Sequence, residues 1–308
     1  MPHWKTCRRR SAAIALSVAL SCVATTQAQE LTPRAYWPAP NGTNALITTY
    51  QYTTGDIVTD PSLPITGVDS EINFAQVGWQ RFFGMFDRSA SLQLNLPYSW
   101  GLTEGVVDGV YRSRKTSGVG DVRVRLAVNL RGAPDMDTSD FQALRANPRT
   151  IVGASLLIQM PTGDYASDKL INIGANRWAV KPALGAIWPL SQNWLLEAEA
   201  GVWLFGDNND FLGDSRHQDP ILSTEIHLVR RIRPGFWASL DANFYVGGRT
   251  SVDGIEGADL QRNSRFGATL VWPFKRGQAI RASYSTGIVT ETGGNFDSVS
   301  LSYVFLWR

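Results

Sequence analysis

From Asp121 to Leu130 the chain changes character at every step. Val122, Val124, Leu126, Val128 and Leu130 share one parity, and Asp121, Arg123, Arg125, Ala127 and Asn129 share the other. Side chains of an extended chain point alternately to opposite faces. The segment therefore predicts a strand lying between an apolar and a polar medium. The same alternation returns at 196–204, where Leu196, Ala198, Ala200, Val202 and Leu204 interleave with Glu197, Glu199, Gly201 and Trp203. It recurs at 222–228, 236–244, 280–285 and 298–307.

About twelve such segments reach the ~9–11 residues that a tilted strand needs to cross a bilayer. They lie near 43–54, 71–83, 89–98, 119–130, 149–160, 176–188, 193–205, 220–231, 235–247, 262–273, 278–288 and 297–307. Their connections alternate in length. Long ones fall near 55–70, 99–118, 161–175, 206–219, 248–261 and 289–296, and short ones near 84–88, 189–192, 232–234 and 274–277. Long loops on one side and tight turns on the other are the habit of outer-membrane barrels. Residues 131–148 are long where a turn is due, and are expected to hold a short helix. Trp188, Trp194, Trp237, Trp272, Phe274, Phe305 and Trp307 sit beside short-turn ends, and Trp100, Trp178, Trp203, Phe205 and Phe244 beside long-loop ends. Membrane interfaces select two such belts, whereas a soluble sandwich places its aromatics in mid-strand.

The fold class is therefore all-β: a transmembrane antiparallel up-and-down β-barrel of about twelve strands. An unpaired backbone group in hydrocarbon costs several kcal/mol, so the sheet must close. An even strand number puts both termini on the periplasmic side. The last strand ends in Tyr303, Phe305 and Trp307, followed by Arg308. It resembles the C-terminal signal read by the barrel-assembly machinery.

Composition excludes other classes. Charged residues are 18% of the chain, against about 25% in soluble domains. With 29 Lys+Arg against 27 Asp+Glu, the chain lacks the basic excess of a nucleic-acid binder. No run approaches the ~20 apolar residues of a membrane helix. Lys5, Arg8, Arg9 and Arg10, the short apolar stretch after them and Ala28 read as a secretory signal over 1–28. Its removal takes both cysteines, Cys7 and Cys22, so the remainder cannot use disulfides. Residues 29–42, with Pro33, Pro38 and Pro40, cannot be a central strand. They are expected in the periplasm or in the lumen, and the barrel is expected over 43–308.

By parity the inward face holds Arg123, Arg125, Lys181, Glu197, Glu199, Glu225, His227, Asp241, Arg265 and Arg281. These are the expected pore-lining residues. The acids fall on segments seven to nine and the bases on four, six, ten and eleven. Two arrangements follow: an acidic wall facing a basic wall across a wet pore, or charges paired across strands that fill a narrow barrel. Catalysis is not expected. A hydrolase would need a nucleophile beside His217 or His227, and Ser223 lies ~13 Å from His227 along an extended strand. Asp207-Asn208-Asn209-Asp210 lacks the alternating spacing of an EF-hand and reads as a polar turn. No metal site or cofactor is expected.

Several stretches carry a family resemblance: Arg34-Ala35-Tyr36-Trp37-Pro38-Ala39-Pro40-Asn41-Gly42-Thr43, Pro161-Thr162-Gly163-Asp164-Tyr165, and Ile173 to Pro182. Gly201 to Phe205 with Asp207-Asn208, Gly247-Gly248-Arg249-Thr250 and Gln261-Arg262-Asn263-Ser264-Arg265 complete it. They resemble the bacterial outer-membrane "transporter" family labelled "putative MetA-pathway of phenol degradation". The resemblance implies a Gram-negative outer-membrane barrel linked to uptake of small, often aromatic compounds. The expected function is passive passage of small hydrophobic or aromatic molecules. Its expected partners are outer-membrane lipids, small-molecule solutes and the assembly machinery, with no nucleic acid. The alternatives are a structural barrel without transport and a barrel hydrolase.

Overall fold

The computed structural model describes residues 31–58, 65–107 and 109–308. The expected signal over 1–28 lies outside the described residues. Strands β1 (Asn44–Val58), β2 (Ile65–Met85), β3 (Arg88–Val107), β4 (Val110–Val119) and β5 (Arg123–Arg131) are followed by helix α1 (Thr138–Ala146). Then come β6 (Ile151–Gln159), β7 (Ala179–Pro189), β8 (Trp194–Phe205), β9 (Asn208–Phe211), β10 (Asp214–Gln218), β11 (Ile221–Arg233) and β12 (Phe236–Gly247). The chain closes with β13 (Thr250–Val252), β14 (Ile255–Glu256), β15 (Gln261–Lys275), β16 (Gln278–Val289) and β17 (Gly293–Trp307).

Every barrel pairing is antiparallel, and β1 closes the ring on β17 from Asn44↔Trp307 to Val58↔Gly293. On its other side β1 pairs with β2, and β2 with β3. The outer half of β3 pairs with β4 and its inner half with β5, so these two act as one strand interrupted at 120–122. Counted this way the closed barrel has 12 strands, as the alternation predicts. Strands β9, β10, β13 and β14 form a separate small sheet. Alternation sorts the two faces: Leu222, Ile226, Leu240 and Leu270 are exposed, and Ser223, Glu225, His227 and Asp241 are buried inside.

The expected long connections need correction. Residues 99–118 are not a loop but a hairpin of β3 and β4, and much of 55–70 belongs to β1 and β2. The segments at 206–219 and 248–261 fold into the small sheet, and 289–296 is mostly strand. At ~3.4 Å per residue, the 21 residues of β2 extend about 70 Å, well beyond a bilayer's hydrocarbon even when tilted. Past the lipid both faces meet water, so the apolar/polar period fades while backbone pairing continues. The tight turns behave as expected. Phe86 and Asp87 both take positive φ (52° and 56°), matching the twist of a two-residue hairpin.

Helix α1 lies within 131–148, at the short-turn end. Asp137 caps it: its carboxylate accepts from Asp140 N–H at 2.9 Å and the Ser139 hydroxyl at 2.7 Å. Arg308 donates to Thr138 Oγ1 at 2.6 Å, and Arg231 donates to Arg145 O. Leu144 and Met136 are buried against the barrel mouth.

Three belt assignments are overturned, and Phe205, which shares the inward parity of Trp203 and stacks on it, is one of them. Trp203 and Trp237 point inward and are only 3% and 7% exposed. They share the parity of Glu197 and Asp241, which proximity to a strand end cannot override. Trp100, Trp178, Trp188, Trp194, Trp272, Phe274, Phe244 and Trp307 remain exposed at the rims.

Candidate functional site in the barrel lumen

The inward side chains stack in three layers. At the short-turn end Ala127, Ile151, Ile187, Leu195, Val229, Trp237 and Val271 form an apolar layer. At the opposite end Leu157, Ala179, Trp203, Ile221 and Tyr245 form a second one, with Trp203 stacked on Phe205 at 6.2 Å. Between them runs a charged belt.

The belt is a continuous chain of ion pairs and hydrogen bonds. Arg125 on β5 reaches Glu199 on β8 at 2.7 Å, passing over β6 and β7. Lys181 on β7 bridges Glu199 at 2.9 Å and Glu225 at 3.4 Å. His227 lies with Nε2 3.5 Å from Glu225 and Nδ1 2.8 Å from Asp241. Thr269 donates to the other Asp241 oxygen at 2.8 Å, and Ser283 to Thr269 at 3.2 Å. Among the described residues Glu199, Glu225 and Asp241 therefore meet bases directly, rather than facing a basic wall across open water. Arg123 donates to Gln159 at 3.2 Å. Arg265 lies apart from the belt, donating to Ser285 at 3.0 Å and Phe296 O at 2.8 Å. Arg281 is inward, and its Nε is buried without a hydrogen-bond partner.

Residues 31–36 enter this lumen. Thr32 N–H donates to Glu225 Oε2 at 2.9 Å, and Arg34 N–H to Glu197 Oε2 at 2.6 Å. The Arg34 guanidinium stacks over Trp37 and Trp237, at 4.4 and 5.4 Å. Tyr36 is 5% exposed, hydrogen-bonds Ser155 Oγ at 3.0 Å and lies under the Arg125 guanidinium at 5.2 Å. Its phenol is pushed upward in pKa, first by burial and then by the Glu199 carboxylate, so it stays neutral. A void of about 10 Å³, the size of one water, remains between Thr32, Tyr36, Ile187, Glu197, Glu225 and His227.

Sequence reasoning missed Tyr36, Gly153, Gly185 and Ser155. The available signal was two glycines inside predicted strands, a position that weakens a strand unless something approaches closely. Asp207–Asp210 turns out to be structural. Asn208 is buried, bonded by Asn176 at 2.9 Å and donating to Tyr165 at 2.8 Å.

A family model matches residues 47–305, most of the chain. The chain belongs to the family described as "Putative MetA-pathway of phenol degradation". The chain is similar to the outer membrane channel crystallised from Pseudomonas putida F1, with a TM-score of 0.75 and 20% identity over 90% of this chain and 100% of that one. It is also similar to the translocator domain of the autotransporter NalP from Neisseria meningitidis, with a TM-score of 0.51 and 11% identity over 96% of this chain and 99% of that one. Both likenesses show an outer-membrane barrel fold. A search of curated proteins found no match.

Proposed function

We propose that this protein is an outer-membrane channel for passive uptake of small hydrophobic or aromatic solutes, without catalytic activity. Residues 1–28 act as its export signal. Its wall is held by outer-membrane lipid, and the C-terminal strand serves assembly. The path is lined by Arg123, Arg125, Lys181, Glu197, Glu199, Glu225, His227, Asp241, Arg265 and Arg281. One observation carries this reading. The centre of the lumen is filled by residues 31–36, which are not wall, and which are held there by side-chain hydrogen bonds and ring contacts. Side chains just fill a barrel of about eight strands; this wider one has room that is taken by a segment outside the wall. The membership and the fold lend support, and the label of the family points to aromatic compounds.

The test is flux. Purified protein in liposomes should admit small neutral aromatics faster than protein-free vesicles, and more so when Tyr36 is replaced by Ala. Liposomes that stay sealed to every solute with both proteins would remove the channel reading. A second reading, a barrel with no path, draws on the paired belt and the water-sized void; that same sealed result is what it requires.

A further inference from the structure

We infer that the slot now holding the Tyr36 ring is a binding site for phenolic solutes, and that residues 31–36 occupy it as an internal stand-in. The inference rests on the channel reading for its role in uptake.

The slot is built from the wall. Gly153 on β6 and Gly185 on β7 are direct register partners. A Cβ added at Gly153 would lie 2.3 Å from Tyr36 Cδ1, and one at Gly185 2.1 Å from Cε2. The ring thus straddles both strands, one edge on each glycine. Neither glycine takes a positive φ, so backbone conformation does not call for them. Their missing side chains make a flat floor the size of one aromatic ring. The Ser155 hydroxyl, two residues along β6, meets the phenol oxygen at 3.0 Å. The Arg125 guanidinium, fixed by Glu199, covers the ring face. Floor, hydroxyl partner and cationic roof all belong to the barrel; only the ring is supplied from the N-terminal segment. A free 4-alkylphenol has the same shape as that side chain, with its alkyl group where the Tyr36 Cβ lies.

Competition tests this. The full-length protein carrying Ala35→Cys with Cys7→Ser and Cys22→Ser, so that position 35 holds its one thiol, is purified in detergent. A thiol reagent then reports when residues 31–36 leave the lumen. p-Cresol should raise the labelling rate saturably, and toluene at equal thermodynamic activity should do so roughly fivefold more weakly, the ratio set by one hydrogen bond of about 1 kcal/mol. Ser155→Ala should erase that difference. Gly185→Ala should label fast without p-cresol and should bind no p-cresol in equilibrium dialysis, because its methyl fills the floor. Equal responses to p-cresol and toluene in the wild-type background, or p-cresol binding retained in Gly185→Ala, overturn the inference. Flux in the same preparations separates the two claims. Solute entry without any phenol effect leaves the channel standing and removes the slot.

Discussion

Replacing Gly185 by Ala should move the wall and the lumenal segment in opposite directions. The new methyl would sit 2.1 Å from Cε2, 2.7 Å from Cδ2 and 3.0 Å from Cζ of Tyr36. Ordinary carbon contacts begin near 3.5 Å, so the ring must retreat by more than 1 Å and its bond to Ser155 breaks. A ring that is 5% exposed stands to lose most of its burial. Complete loss of a buried aromatic costs about 3–5 kcal/mol, so even partial unseating near 3 kcal/mol shifts the docked-to-undocked ratio roughly 100-fold. The strand itself gains, because Ala is better there than Gly by about 0.5–1 kcal/mol. Single-channel recording in planar bilayers should therefore show a higher open fraction, while the heat-induced mobility shift of the barrel on gels moves to equal or higher temperature. Unchanged conductance together with a raised melting temperature would mean that the ring does not close the lumen, and the argument from the glycine floor would fall.

Other positions make separate demands. Asp241 is 1% exposed and accepts from both His227 and Thr269, so Asp241→Ala strands a buried imidazole and should cost about 3–5 kcal/mol in barrel melting; wild-type melting would contradict the belt. Ile226 is 52% exposed on the lipid face at mid-strand, and Ile226→Arg should destabilise the barrel by about 2–4 kcal/mol in bilayers. Equal folding yields in vesicles would argue against that face touching lipid. Arg308→Ala removes the bonds to Thr138 Oγ1 and Asn41 O, and protease should then cut within 132–148 faster; an unaltered rate would show that α1 is held without it. The Asp137 carboxyl is held below the ordinary aspartate value of 3.8 by its bond from Asp140 N–H, then by the Ser139 hydroxyl. Its capping contribution is therefore complete above that value and fades as pH falls below it. Proteolysis of α1 by an acid protease should rise in that window in wild type, and much less in Asp137→Ala.

Much of the wall was legible because its strands face two media. At Glu225, Ile226 and His227 the identity of each residue announces its side, and most of the twelve segments follow from that period; 43–54, mostly Thr and Tyr, and 71–83, ambiguous in phase, carry it weakly. The outer extensions were illegible for the same reason: Arg112, Arg114 and Lys115 on β4 meet water on both faces, so nothing alternates although pairing with β3 persists. Trp203 and Trp237 show a different failure. Their parity with Glu197 and Asp241 places them inside, and nearness to a strand end does not change the face a side chain takes. The slot was hidden more deeply. It depends on Gly153 and Gly185 being register partners and on a segment more than 100 positions away returning to lie on them. Neither relation leaves a local pattern.

The wall and the lumenal segment are energetically separable. The barrel closes through backbone ladders such as Asn44↔Trp307 to Val58↔Gly293, and residues 31–36 take no part in them. The neck that follows is tied to the rim, where Asn41 N–H donates to Met136 O at 3.0 Å, Gly42 N–H to Phe82 O at 2.9 Å, and Arg308 to Asn41 O at 2.9 Å. Residues 31–36 can therefore swing about a fixed neck without opening a seam in lipid, where an unpaired strand edge would be prohibitive. Two backbone N–H groups bonded to carboxylates are worth about 1.5–3 kcal/mol each, in addition to the ring. That total holds residues 31–36 in the lumen. On the proposed channel reading, a solute shifts the balance only by binding the vacated wall better than the occupied one, which would make opening and selection a single event at Glu197, Glu225 and the glycine floor.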